Sequence, residues 1–73
     1  PGLDIESVRR TLLANPGVSA VHDLHAWALG SKERVLTVHV VASDPSASID
    51  ALRGALSRML QEDFAIDRLT LQM

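Results

Sequence analysis

The chain has 73 residues, enough for one small domain that buries about 60% of the surface exposed by its unfolded chain. It contains no cysteine, which excludes disulfides and thiolate zinc sites. The formal net charge is -2 and the seven Lys and Arg residues are scattered, so the chain lacks the basic footprint of a nucleic-acid-binding protein.

Hydropathy and the first residues bear on membrane spanning, secretion and whether the chain is a fragment. No apolar run approaches the roughly 20 residues that a helix needs to cross a bilayer, so we expect the fragment itself to be soluble. The chain begins with Pro1 instead of methionine, and its start lacks the basic and apolar regions of a signal peptide. We therefore expect a piece excised from a longer protein.

The first predicted element is a helix. Four apolar residues recur at helical spacing: Ile5, Val8, Leu12 and Leu13. Asp4 precedes them and belongs to the residue types that cap a helix by accepting backbone N–H hydrogen bonds. The helix ends at Asn-Pro-Gly, residues 15–17, because proline cannot continue it.

A β-hairpin is predicted next. β-branched residues indicate strands over residues 18–30 and 34–43, joined by a Gly-Ser-Lys-Glu turn at residues 30–33. One face of the second strand is apolar: Leu36, Val38 and Val40. His39 therefore lies on the other face, away from the helices. The first strand alternates irregularly, and a β-bulge near Asp23 would account for this.

A second helix and a third strand complete the chain. After a loop at residues 44–48, five apolar residues form the stripe of a helix: Ile49, Leu52, Leu56, Met59 and Leu60. Ser46 or Ser48 caps the start of this helix. Residues 66–73 alternate as a strand does. The order α-β-β-α-β predicts an α+β fold with two helices on one face of a three-stranded mixed sheet, leaving the other face open.

All three histidines fall inside the predicted hairpin: His22, His25 and His39. Neutral imidazole is the commonest metal ligand, and side chains on adjacent strands can meet on one sheet face. His25 is an odd number of residues from His22, so regular alternation sends it to the opposite face, beside Trp27. We interpret His25 as structural, with ligation through a bulge as the alternative, and Trp27 as core packing.

Four segments carry a family resemblance, in order and at matching spacing: Pro16-Gly17-Val18, Val-His-Asp-Leu-His-Ala-Trp-Ala-Leu-Gly at residues 21–30, Val-His-Val-Val at residues 38–41, and Leu-Thr-Leu-Gln at residues 69–72. The chain resembles, over nearly its whole length, the C-terminal domain of cation diffusion facilitator transporters. This resemblance implies that residues 1–73 form a single cytoplasmic regulatory domain with a ferredoxin-like, metallochaperone-like fold. Its parent would be a membrane transporter that exports Zn²⁺ or related cations in exchange for protons.

The resemblance also implies partners and a cation. The domain would form a homodimer and join the transporter's own transmembrane domain on the cytoplasmic side of the cell (inner) membrane. Metal would bind between or beside the sheets and favour the closed dimer. Zn²⁺ is the expected cation, and imidazole ligands also suit Co²⁺, Ni²⁺, Cu²⁺ and Cd²⁺.

Two other functions stay open, and one class is not expected. The chain is alternatively a metal-independent structural dimerisation module of such a transporter, or a stand-alone ferredoxin-like small-molecule-binding regulatory domain. It has no cysteine nucleophile, Gly-rich phosphate loop or His-Glu-x-x-His pattern, so we do not expect an enzyme.

The resemblance assigns metal-ligand positions to His22, His39 and Gln72, with a further position at about Asp50. Asp50 has an equal alternative role, since an acidic residue favours the N-terminal dipole of the second helix. Asp23 is a weaker candidate ligand, because its carboxylate can instead hold the strand through backbone hydrogen bonds.

Two departures from the family pattern affect this site. Family members often carry His at the position of Arg68, and an acidic residue commonly follows the position of Met73. The Gln72 amide oxygen is a weaker donor to Zn²⁺ than imidazole or carboxylate. We therefore expect that one copy of the chain does not supply all four ligands of a complete metal site.

Overall fold

The computed structural model describes residues 3–30 and 32–73, so Ser31 of the predicted turn lies outside the described residues. Its elements are α1 Ile5–Ala14, β1 Val18–Leu29, β2 Glu33–Ala42, α2 Ile49–Phe64 and β3 Arg68–Gln72. β2 is the central strand, antiparallel to β1 and parallel to β3. The predicted fold class is confirmed. No helix within these residues combines the length and hydropathy needed to cross a membrane.

Side-chain caps set the start of both helices. Asp4 Oδ1 accepts the backbone N–H of Glu6 at 3.1 Å, as predicted for α1. For α2, Ser48 is the cap, since its Oγ accepts the N–H three residues further on at 3.2 Å. Ser46, the other candidate, donates its hydroxyl and backbone N–H to Asp44, and these bonds hold the pKa of Asp44 below its ordinary value.

Both helices pack on the same face of the sheet. The predicted apolar face of β2 is buried, and its side chains meet the apolar stripes of α1 and α2 in one cluster. The buried members of this core are Val8, Leu12, Val18, Leu36, Val38, Val40, Leu56, Leu60, Ile66 and Leu71. Within residues 3–30 and 32–73 no helix covers the opposite face of the sheet, and most side chains there are at least partly accessible.

Arg34 fixes the start of β3 beside β2. Its Nη1 donates to the carbonyl oxygen of Phe64 at 2.8 Å, at the end of α2. Its backbone N–H donates to Asp67 Oδ2 at 2.8 Å, and its carbonyl oxygen accepts the Asp67 N–H at 2.9 Å. This junction sets the parallel register that places Gln72 opposite His39.

β1 contains the predicted bulge. His22 pairs with His39 before it and His25 pairs with Thr37 after it, so two residues of β1 oppose one residue of β2. Asp23 has a φ of 52°, a left-handed conformation that Asp and Asn adopt more readily than other non-glycine residues. One extra residue reverses which face every later side chain of β1 occupies.

Replacing Asp23 with Val is expected to lower the free energy of unfolding by roughly 1–3 kcal/mol, because a β-branched residue is strained at positive φ. The matched control is Asp23→Asn, which removes the charge but tolerates the same backbone conformation. Urea unfolding in the presence of a chelator measures both variants without a contribution from metal. An equal loss of stability in the two would show that the carboxylate matters and the backbone conformation does not.

Candidate metal centre

We call the side of the sheet that the helices leave uncovered the open face. Residues 35, 37, 39 and 41 of β2 lie on it, because they alternate with Leu36, Val38 and Val40, which face the helices; Val35 is nonetheless buried. Residues paired directly across strands share a face, so the open face consists of rows. The three complete rows are His22–His39–Gln72, His25–Thr37–Thr70 and Trp27–Val35–Arg68.

His22 and His39 form the imidazole pair that the sequence predicted. Their ring centroids are 6.0 Å apart and the ring planes are tilted by 54°. A tetrahedral Zn²⁺ bound at about 2.0–2.1 Å to one nitrogen of each ring would hold the centroids about 5 Å apart. Small side-chain rotations would therefore bring both rings to one ion. His22 is exposed and His39 half-buried, so a cation can reach them from solvent.

Gln72 lies beside His39 on β3, so three of the four predicted ligands share one row. Asp50 is exposed in the first turn of α2, where an acidic side chain also favours the helix dipole. Across residues 3–30 and 32–73, no three His, Cys, Asp or Glu side chains lie close enough to hold a metal ion. The ligand role of Asp50 stays a prediction, and one copy offers an imidazole pair with an amide beside it.

The prediction that His25 lies on the face opposite His22 is wrong. The bulge adds one residue between the two histidines, and this places His25 on the open face, opposite Thr37. There it lines a depression of about 140 Å³ together with Asp23, His39, Gln72 and three further residues of β2 and β3. The alternative interpretation, in which a bulge brings His25 among the ligands, agrees with this placement.

The prediction that Trp27 packs in the core is also wrong. Its side chain is 47% exposed and lies on the open face opposite Val35, since the bulge shifted it together with His25. Leu29 and Val41 are also large exposed apolar residues on this face. The open face therefore combines imidazoles with uncovered apolar surface.

Sequence reasoning missed two features of the open face. Thr37 and Thr70 are neighbours on β2 and β3, and both line the depression. Arg68, at the position where the resemblance leads one to expect His, forms an ion pair with Glu33. Both features depend on the parallel register between β2 and β3, and the alternation of residues within each strand does not reveal that register.

Comparisons with known proteins bear on this arrangement. Residues 1–73 match the family described as "Cation efflux protein, cytoplasmic domain". The metal-bound C-terminal domain of the CzcD transporter from Cupriavidus metallidurans has a similar solved structure, with a TM-score of 0.84 and 41% identity. The match covers 96% of each chain.

Curated relatives agree with the family match. The metal cation efflux system protein CzcD of Cupriavidus metallidurans is 40% identical over 70 residues, covering 96% of this chain and 22% of that protein. The human proton-coupled zinc antiporter SLC30A2 is 39% identical over 72 residues, covering 99% of this chain and 19% of that protein. The chain thus spans about a fifth of the length of these relatives. The resemblance inferred from the sequence is confirmed, and the chain belongs to the family of cytoplasmic domains of cation efflux proteins.

Proposed function

We propose that residues 1–73 are the metal-sensing and dimerisation domain of a divalent-cation efflux transporter of the Zn²⁺ type. The observation that carries this proposal is the His22–His39 pair, two imidazoles whose ring centroids lie 6.0 Å apart on one sheet face; imidazole is the commonest metal ligand. Support comes from the solved neighbour, which is described as metal-bound, and from relatives named for cation efflux and zinc antiport.

In this proposal His22 and His39 each donate one imidazole nitrogen to the ion. Gln72, water or a second copy completes the shell, with Asp50 as a further candidate. Zn²⁺ suits two imidazoles in a tetrahedral site, and Co²⁺, Ni²⁺, Cu²⁺ and Cd²⁺ accept the same nitrogen donors.

The incomplete shell suggests how the ion would act on the dimer. A ligand shifts a conformational equilibrium only as far as it binds one state better than the other. If the second copy supplies a missing ligand when the dimer closes, the closed dimer binds the ion more tightly. Metal then favours closure of a homodimer that is joined, on the cytoplasmic side of the membrane, to the transporter's own transmembrane domain.

Titrating Zn²⁺ while measuring the distance between two copies tests this proposal. The chain has no cysteine, so Arg58→Cys on the exposed side of α2 gives one spin-label site per copy, remote from the open face. Pulsed electron paramagnetic resonance should show a shorter or narrower distance distribution with saturating Zn²⁺, reversed by a chelator. A distribution that is unchanged at saturation would contradict metal-favoured closure.

A metal-independent dimerisation module is the second candidate, favoured by the exposed Trp27, Leu29 and Val41 on the open face. Burying such side chains against a second copy stabilises a dimer without any ion. In that case the labelled dimer is present at the same fraction with and without chelator, and the midpoint of thermal unfolding does not depend on Zn²⁺. The same labelled protein therefore separates the two candidates.

A further inference from the structure

We propose that the bulge in β1 creates a second, weaker divalent-cation position on the open face, with the His25 imidazole and the Asp23 carboxylate as direct ligands. This inference rests on the proposed function in one respect, because it assumes that His22 and His39 together bind the first ion. It concerns different residues, so the two proposals can fail separately.

The second position lies in the depression of about 140 Å³ on the open face. Six of its seven lining residues bear nitrogen or oxygen donors: Asp23, His25, Thr37, His39, Thr70 and Gln72. Asp23 and His25 flank Leu24, which packs against the core. The left-handed backbone at Asp23 and the packing of the partly buried Leu24 against the core thus hold both donor side chains at the rim of one concavity.

The donor set suits a partly hydrated cation. Imidazole nitrogen and carboxylate oxygen are both ligands for Zn²⁺, Co²⁺ and Ni²⁺. The hydroxyls of Thr37 and Thr70 and the amide of Gln72 can accept hydrogen bonds from water bound to the ion. The charge of Asp23 offsets repulsion from a first ion in the adjacent row, and the remaining repulsion makes the second ion bind more weakly.

Trp27 provides a local reporter, because it is the single tryptophan of the chain. Its row is next to the row of His25 and is two rows from that of His22 and His39. Co²⁺ quenches indole fluorescence over short distances, so an ion at His25 should quench Trp27 more strongly than an ion held by His22 and His39.

The experiment is a Co²⁺ titration of the 73-residue chain, following bound Co²⁺ by equilibrium dialysis and Trp27 fluorescence in parallel. We expect quenching to follow the weaker binding phase. His25→Ala and Asp23→Asn should each bind one Co²⁺ fewer per chain, or bind it at least tenfold more weakly, and lose most of the quenching. Asp23→Asn keeps the backbone conformation of the bulge, so its effect is one of ligation.

The His22→Ala/His39→Ala variant distinguishes the two proposals. It should lose the tight phase and keep the quenching that depends on His25. If His25→Ala keeps the stoichiometry and quenching of the unsubstituted chain, the second position does not exist, whatever the double variant does. If the double variant binds as tightly as the unsubstituted chain while His25→Ala loses binding, the first site is wrong and the second stands. Circular dichroism and urea midpoints of the metal-free variants confirm that each is folded.

Discussion

Replacing His22 and His39 together with Ala is expected to weaken Zn²⁺ binding by more than about 100-fold, since mutating even an outer partner of a metal ligand typically costs 10–100-fold in affinity. The two substitutions remove the imidazole pair whose ring centroids lie 6.0 Å apart. The Gln72 amide that remains in their row is a weak donor to Zn²⁺. Competition with a chromophoric chelator of known affinity measures the loss.

His25→Ala is the matched control, because it removes the third imidazole of the open face and leaves the pair intact. It should keep the tight binding phase. Tight binding by the unsubstituted protein should also weaken as the pH falls, because metal binding requires the unprotonated imidazole and protons compete for the same nitrogens. Equal affinity of the double variant and the unsubstituted chain, or an affinity that does not change with pH, would contradict ligation by His22 and His39.

The sequence predicts half of this site because one face of β2 is uniformly apolar. Leu36, Val38 and Val40 define the buried face, and this places His39 on the other face without any tertiary information. β1 does not alternate, and there the outcome depends on one backbone angle. The bulge at Asp23, with its φ of 52°, moves His25 and Trp27 to the open face. Regular pleating would place His25 on the face of the sheet that does not carry His22.

The other half of the site depends on contacts between distant segments. Gln72 meets His39, and Arg68 meets Glu33, only because β3 runs parallel to β2 in one register. The bonds of Arg34 to Asp67 and to the end of α2 hold that register at the start of β3. Sequence alternation shows which face of β3 is apolar, but it does not show which residue of β2 lies beside each residue of β3.

Leu36→Ala is expected to lower the free energy of unfolding by about 2–5 kcal/mol. Leu36 is fully buried on the central strand, paired with Ala26 on β1 and Leu69 on β3. The small neighbour Ala26 cannot fill the space that the substitution leaves, which favours the upper part of this range. A chain of this length has a total stability of only about 4–11 kcal/mol, so a large fraction is lost. Urea unfolding with a chelator present measures it.

Leu13→Ala on α1 is the matched control, since it makes the same chemical change at a side chain that is 44% exposed. We expect it to cost less than about 1 kcal/mol, because surface substitutions have small effects. Similar losses at Leu13 and Leu36 would show that the core is not where the structure places it.

The Leu36→Ala variant also tests whether metal binding stabilises the folded chain. Leu36 points to the helices while His22 and His39 lie on the opposite face, so the cavity leaves the ligands in place. An ion that binds only the folded chain should therefore restore about 2.7 kcal/mol to Leu36→Ala at a free Zn²⁺ concentration about 100 times its Kd. Adding the His22→Ala and His39→Ala substitutions should remove most of this restoration, leaving at most the contribution of weaker binding at His25. A triple variant that Zn²⁺ stabilises as much as Leu36→Ala alone would show that the stabilising ion does not bind at His22 and His39.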